Sequence, residues 1–162
     1  MEPEQSSYPS MATRSSGWAA YSSMDDLNTL LVPVAAGELL HKITILRLKA
    51  SRLQRPEARS NVGRELQALE EVLQQAGPRL QSSAITHLIN ELQQLNTRLW
   101  DVEDALRLLE AEQRFDQEFI ALARSVYQLN DQRASIKRRI NEACGSALVE
   151  EKSYGEQRPT TK

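Results

Sequence analysis

The chain has a single cysteine, Cys144, so an internal disulfide framework is excluded. A lone thiol near a helix end reads as a small packed side chain. Aromatic residues make up only 5% of the sequence, which suits helix bundles better than sandwiches. Neither sign of charge dominates: 20 Lys and Arg face 22 Asp and Glu. A free-standing nucleic-acid binder usually shows a basic excess, so this balance argues against one. No apolar run approaches the roughly 18–20 residues of a membrane span. The first residues are polar where a signal peptide needs a charged start and an apolar stretch. The expectation is a cytoplasmic protein without a membrane span. Gly-rich phosphate loops, nucleophile elbows and Cys-x-x-Cys pairs are also missing, so no catalytic residue and no cofactor is assigned.

What the sequence does contain is helical periodicity. Residues 1–30 lack it: Ser, Gly, Pro and Met alternate with few apolar residues, the composition of a disordered tail. Tyr8, Trp18 and Tyr21 stand out there as docking anchors or as exposed rings. Leu31-Val32-Pro33-Val34 is an extended lead-in, because Pro33 biases Val32 away from helix. A helical domain then spans residues 31–147, and residues 148–162 form a polar C-terminal tail.

Four helices are expected in that domain. The first opens at Gly37 with Glu38 in its first turn and runs to about 53, on the stripe Leu39, Ile43, Leu46, Ala50, Leu53. Leu40 and Leu48 widen the stripe. The second covers about 57–76 on Val62, Leu66, Leu69, Leu73 and Ala76, and stops at Gly77-Pro78. The third starts near Ser83 as N-cap. Its seam, Ile85, Leu88, Leu92, Leu95, Leu99, Val102, Leu106, Leu109, is aliphatic at every a and d position of four heptads. At 1.5 Å per residue the stretch 85–109 is roughly 40 Å long. The fourth is capped by Asp116 and closed by Gly145. Its seam is Phe119, Leu122, Val126, Leu129, Arg133, Ile136, Ile140 and Ala143, with one polar break at Arg133. The fold class is all-α: an antiparallel hairpin of two long helices carrying two shorter ones, as a four-helix bundle or as a coiled-coil-like hairpin with two helices laid on one end.

Three clusters carry the exposed chemistry. In the first, Trp100, Glu103, Asp104 and Arg107 share a helix face. The carboxylates read as a solvated face with Asp104 pairing to Arg107. Trp100, just off the seam, needs a neighbour in the bundle or in a partner, so Trp100, Glu103 and Asp104 are partner-binding candidates. A carboxylate-bridged metal bundle needs Glu-x-x-His pairs on two helices. The chain has two histidines in all, His41 and His87, so no metal is expected. The second cluster lies on the fourth helix. Arg124, Tyr127, Asp131 and Arg138 fall on one side, while Asn130, Arg133, Lys137 and Asn141 fall nearer the seam. Arg124, Tyr127, Asn130, Asp131, Arg133 and Lys137 are the ligand-binding candidates for a small anion. Arg133 is costly to bury unpaired, and its first expectation is an ion pair to a carboxylate of the third helix that sets the hairpin register. Lys137-Arg138-Arg139 has no wider basic surface around it to support nucleic-acid binding. The third cluster, Lys42, Lys49 and Arg52, is a basic edge on the first helix whose stems cover apolar surface.

Three segments together carry a resemblance. They are Val32-Pro33-Val34 with Gly37-Glu38-Leu39-Leu40-His41-Lys42-Ile43-Thr44-Ile45-Leu46, Leu99-Trp100-Asp101-Val102-Glu103-Asp104, and Phe119-Ile120-Ala121-Leu122-Ala123-Arg124-Ser125-Val126-Tyr127 followed by Asn130-Asp131, Arg133-Ala134, Ile136-Lys137-Arg138 and Ile140-Asn141. The chain resembles, over about residues 32–154, a family of small bacterial helical proteins of unknown function whose members are sometimes found alongside glycosyltransferases and tetratricopeptide proteins. His41 stands where that family leads one to expect an acidic residue. A fainter likeness, through Asp101 and Asp104, is to the all-helical chorismate mutases. The basic residues around that motif in those enzymes do not line up here. The leading expectation is a non-enzymatic interaction or scaffold module with a protein partner or self-association. A small-anion binder or enzyme built on the fourth helix is the alternative, and a nucleic-acid accessory protein is the third reading.

Overall fold

A computed structural model describes residues 32–148. The expectations for residues 1–30, with Tyr8, Trp18 and Tyr21, and for the C-terminal tail beyond Leu148 lie outside the described residues. Within them the chain is all-α: α1 (Ala36–Arg52), α2 (Pro56–Gln75), α3 (Ser83–Ala111) and α4 (Gln117–Cys144), with one 3-10 turn (Pro78–Gln81) and no strand.

The helix ends follow local chemistry. Pro56 occupies the first turn of α2, where its missing N–H is no loss. Gly77 follows α2 with φ 84°, a conformation that favours glycine. The cap of α3 is Ser82, one residue before the expected Ser83; its hydroxyl accepts from the backbone N–H of Ile85. Asp116 caps α4 as expected and accepts from the N–H groups of Glu118 and Phe119. Gly145 ends α4 in the left-handed conformation, and Ser146 N–H donates back to Asn141 C=O at 2.8 Å.

The long helices α3 and α4 form the antiparallel hairpin. The expected cross-helix ion pair exists, but its base is not Arg133. Arg139 Nη1 holds Glu91 Oε2 at 2.7 Å. The seam of α3 is buried at Ile85, Leu88, Leu92, Leu95, Leu99 and Leu109, whereas Val102 and Leu106 are only half-buried. On α4, Leu129, Ile136 and Ile140 are buried. Ala143 is exposed, against expectation, and Cys144 packs on the core in its place.

Helix α1 is the central element. It touches α2, α3 and α4, so more than one stripe of it is covered. Leu40, Ile43, Thr44, Leu46 and Leu48 are all buried. The predicted stripe positions Leu39 and Ala50 are only half-buried. Its contacts fix its direction. Near its start Gly37 bonds Asn141, at its middle Thr44 bonds Asn96, and at its end Arg52 bonds Asp101. Helix α1 therefore runs parallel to α3 and antiparallel to α4, and it ends alongside Asp101. The hairpin continues past it. Helix α2 packs on α1 through a half-buried row, Leu66, Leu69 and Leu73. Two ion pairs flank that contact, Lys42 with Glu65 and Arg47 with Glu70, both at 2.7 Å. Lys42 and Arg52 thus belong to separate ion pairs instead of one basic edge.

Two polar contacts lock α1 to the hairpin. Gly37 N–H donates to Asn141 Oδ1 at 2.7 Å in a buried position. A Cβ at residue 37 would meet the Lys137 carbonyl oxygen at 2.6 Å, so only glycine permits this approach. Deeper in the core, Asn96 Nδ2 donates to Thr44 Oγ1 at 2.9 Å, and Thr44 donates on to His41 C=O at 2.7 Å. Both side chains are almost fully buried.

Gly37→Ala should destabilise the domain by about 1–3 kcal/mol, because the clash is with backbone. Gly63→Ala in α2, where a Cβ meets nothing within 4 Å, should instead stabilise it by up to about 1 kcal/mol. Urea denaturation of both variants checks the pair. Thr44→Val should cost about 1–3 kcal/mol by removing the partner of a buried amide, and the double variant with Asn96→Leu should recover much of the loss.

Candidate functional site

The polar residues of α1 and α4 meet in the seam between these helices. Glu38 lies in the first turn of α1, where the helix dipole favours a carboxylate. Its Oε2 accepts from Lys137 Nζ at 2.5 Å. Lys137 sits on the α1 side of α4 and is buried, while Glu38 remains half open to solvent. His41 is one turn further along α1. Its Nδ1 stands 3.6 Å from Glu38 Oε1, too far for a hydrogen bond. Arg133 lies one turn from Lys137 on α4 and is half-buried. Its guanidinium donates to Asn130 Oδ1 on its own helix. Asn130 in turn donates to Val126 C=O at 2.9 Å. Among the described residues, no carboxylate pairs with Arg133.

The ligand candidates therefore divide into two sets. Asn130, Arg133 and Lys137 belong to the seam with α1. Arg124, Tyr127 and Asp131 are exposed on the outer side of α4 and do not join them. The reason is the helical repeat: the two sets lie on different arcs of α4, and α1 covers only one. Of the partner candidates, Trp100 is half-buried, and Glu103 and Asp104 are exposed. Both carboxylates hold Arg107 at 3.1 Å, the local pairing expected of a solvated face. Arg133 does not set the hairpin register.

Sequence reasoning did not count His41, Glu38, Thr44 or Asn96 among the site candidates. One signal was available: Glu38 and His41 are three residues apart on one helix face. The other was not, because nothing in α1 alone says that this face meets Arg133 and Lys137. Among the described residues no three His, Cys, Asp or Glu side chains converge as metal ligands. Among them, too, no helix is long and apolar enough to cross a membrane.

The seam is electrostatically unbalanced around His41. Burial pushes the imidazole pKa down, and the positive charges of Arg133 and Lys137 push it the same way. Glu38 opposes them and does not win. For Glu38 itself, burial raises the pKa, but the hydrogen bond and charge of Lys137, with His41 beside it, leave the carboxyl below its ordinary value.

These shifts predict the pH dependence of stability. A lowered His41 pKa means that the unfolded chain takes up a proton first, at about pH 6.5. Stability should fall as pH drops below that value until the folded imidazole is also protonated. The lowered Glu38 pKa adds stability that is present above the ordinary carboxyl range and is lost as pH falls through the folded value. Thermal melts from pH 8 to pH 5 check the first part (these pH values span the ordinary imidazole pKa, about 6.5), since His41→Gln should flatten the upper portion of the curve.

A comparison with protein families matches residues 30–161 to one model, DUF6165, a family of unknown function. No curated protein and no solved structure matches the chain. The match takes in all four helices and both sides of the α1 seam, and the chain belongs to the DUF6165 family of unknown function.

Proposed function

We propose that the domain is a non-enzymatic interaction module that self-associates through the turn-proximal half of its long hairpin. One observation carries this reading. Helix α1 ends beside Asp101, yet the heptad seam of the hairpin continues for almost three more turns of α3. In that stretch α1 no longer runs beside the seam. Val102 and Leu106 of α3 are only half-buried, as are Phe119, Leu122 and Val126 of α4. Leu108, Phe115, Ile120 and Tyr127 are exposed around them.

A second copy fits this face better than an unrelated partner. The uncovered stretch presents two antiparallel helices with matched heptads, and two such hairpins side by side make a four-helix bundle. A two-fold interface must be self-complementary. The rim meets that condition because it mixes signs: Glu103, Asp104, Glu110 and Glu118 lie among Arg107, Arg114 and Arg124. The exposed set of α4, Arg124 and Tyr127 with Asp131, then serves as rim and not as ligand site. Half-buried Trp100 borders the same face, next to the end of α1.

Light scattering over a concentration series tests the reading. The full chain should move from monomer to dimer as concentration rises. Leu106→Glu or Leu122→Glu should hold it as a monomer with its helical circular dichroism intact, because both side chains lie outside the set packed on the buried core. A monomer at every concentration would overturn self-association, and so would a dimer indifferent to both substitutions.

A further inference from the structure

The seam between α1 and α4 contains hydrogen-bonding groups that the protein itself leaves unused. Both imidazole nitrogens of His41 are buried and have no hydrogen-bond partner in the protein. A buried polar atom without a partner is uncommon in a native fold and asks for an explanation. Glu38 does not supply one, since its carboxylate is committed to Lys137 and stands off from His41 at 3.6 Å. Arg133, one turn from Lys137 on α4, is half-buried. Its guanidinium has five N–H donors, and the partner it finds is the neutral amide of Asn130.

Arg133 and Lys137 bring two fixed cations from α4 to this seam. Glu38 brings one carboxylate from α1. His41 is kept neutral by burial and by the two cations. Arg133 is half-buried and meets no carboxylate among the described residues, so an anion beside it gains a charge-assisted partner. An edge of the ring reaches the surface, since 18% of the His41 side chain is exposed, while its two nitrogens lie inside.

We propose that His41, Arg133 and Asn130, with the ion pair of Lys137 and Glu38 at their side, form a binding site for a small oxyanion, the carboxylate or phosphate group of a ligand. The oxyanion accepts from the fork of Arg133 and from an imidazole N–H of His41. Asn130 holds the guanidinium in place through its side-chain oxygen. The anion supplies a counter-charge beside Arg133. It also reverses the balance at His41, since a bound anion favours the protonated ring. Binding of the anion and protonation of His41 therefore support one another. The site is on the α1 side of the hairpin near the start of α1. It is separate from the proposed self-association face, which lies beyond the end of α1.

The two histidines make the test direct. Imidazole NMR of the full chain reports His41 and the exposed His87 separately. Titration with inorganic phosphate, and in parallel with acetate, at constant ionic strength should move the His41 signals saturably and raise its pKa. His87 should stay in place. The stronger of the two anions names the ligand class. Arg133→Gln should abolish the response. His41→Asp should abolish it too, because a fixed carboxylate then occupies the place of the anion, and this variant should melt higher than the wild type in anion-free buffer. The proposal fails if His41 and His87 respond alike, if neither anion saturates, or if Arg133→Gln binds as the wild type does. It fails equally if His41→Asp keeps the fold and still binds.

Discussion

Everything distinctive in this molecule depends on how closely the first turn of α1 approaches α4. Residue 37 has no Cβ, and its N–H reaches Asn141 Oδ1 at 2.7 Å. A methyl group there would stand 2.6 Å from a main-chain oxygen. That close approach draws Glu38 up to Lys137 and His41 toward Arg133. It also covers the inner arc of α4 and leaves the outer arc, with Arg124, Tyr127 and Asp131, in solvent. One backbone contact thus decides which polar residues of α4 form a cluster and which remain a surface.

The length of α1 is the second constraint. It has 17 residues against 29 in α3 and 28 in α4. A short helix laid from one end of a long hairpin cannot cover the other end, where α1 is absent among the described residues. The half-buried state of Val102, Leu106, Leu122 and Val126 follows from this mismatch in length and not from weaker hydrophobicity. The two ends of the domain therefore differ in character. Near Gly37 the seam is polar and closely packed. Near the turn between α3 and α4 it is apolar and half-covered at Val102, Leu106 and Leu122, with Leu109 buried among them.

Polar groups in the core serve geometry as well as chemistry. Asn96 and Thr44 bond across the middle of the α1 and α3 contact, where an aliphatic pair would slide more freely. A buried hydrogen bond between side chains tolerates little displacement, so it fixes where α1 stops along the hairpin. The ion pair of Arg52 and Asp101 marks the same register at the surface. The pair of Arg139 and Glu91 does so for the hairpin itself.

Much of the architecture was legible without coordinates. The heptads of α3 and α4 specify two long amphipathic helices, Asp116 and Gly145 bound the second, and Gly77-Pro78 stops α2. These features are local, set by backbone propensity and by side chains within four residues of each other. The partners of Arg133 were not legible, because a residue on a helix surface takes its partner from whichever helix is laid against it. Periodicity put Arg133 on the seam facing α3. The structure turns it toward α1 and leaves the register to Arg139. His41 shows the same division. Its sequence neighbours say only that it is helical, three residues after Glu38. Burial beside two cations, which gives it its lowered pKa and its unpartnered nitrogens, was decided by the packing of α1 onto α4. By itself the sequence determined the helices and their apolar faces. The tertiary structure alone decided which polar residues meet, because the angle and reach of α1 come from a glycine contact and a buried amide distant from it in the chain.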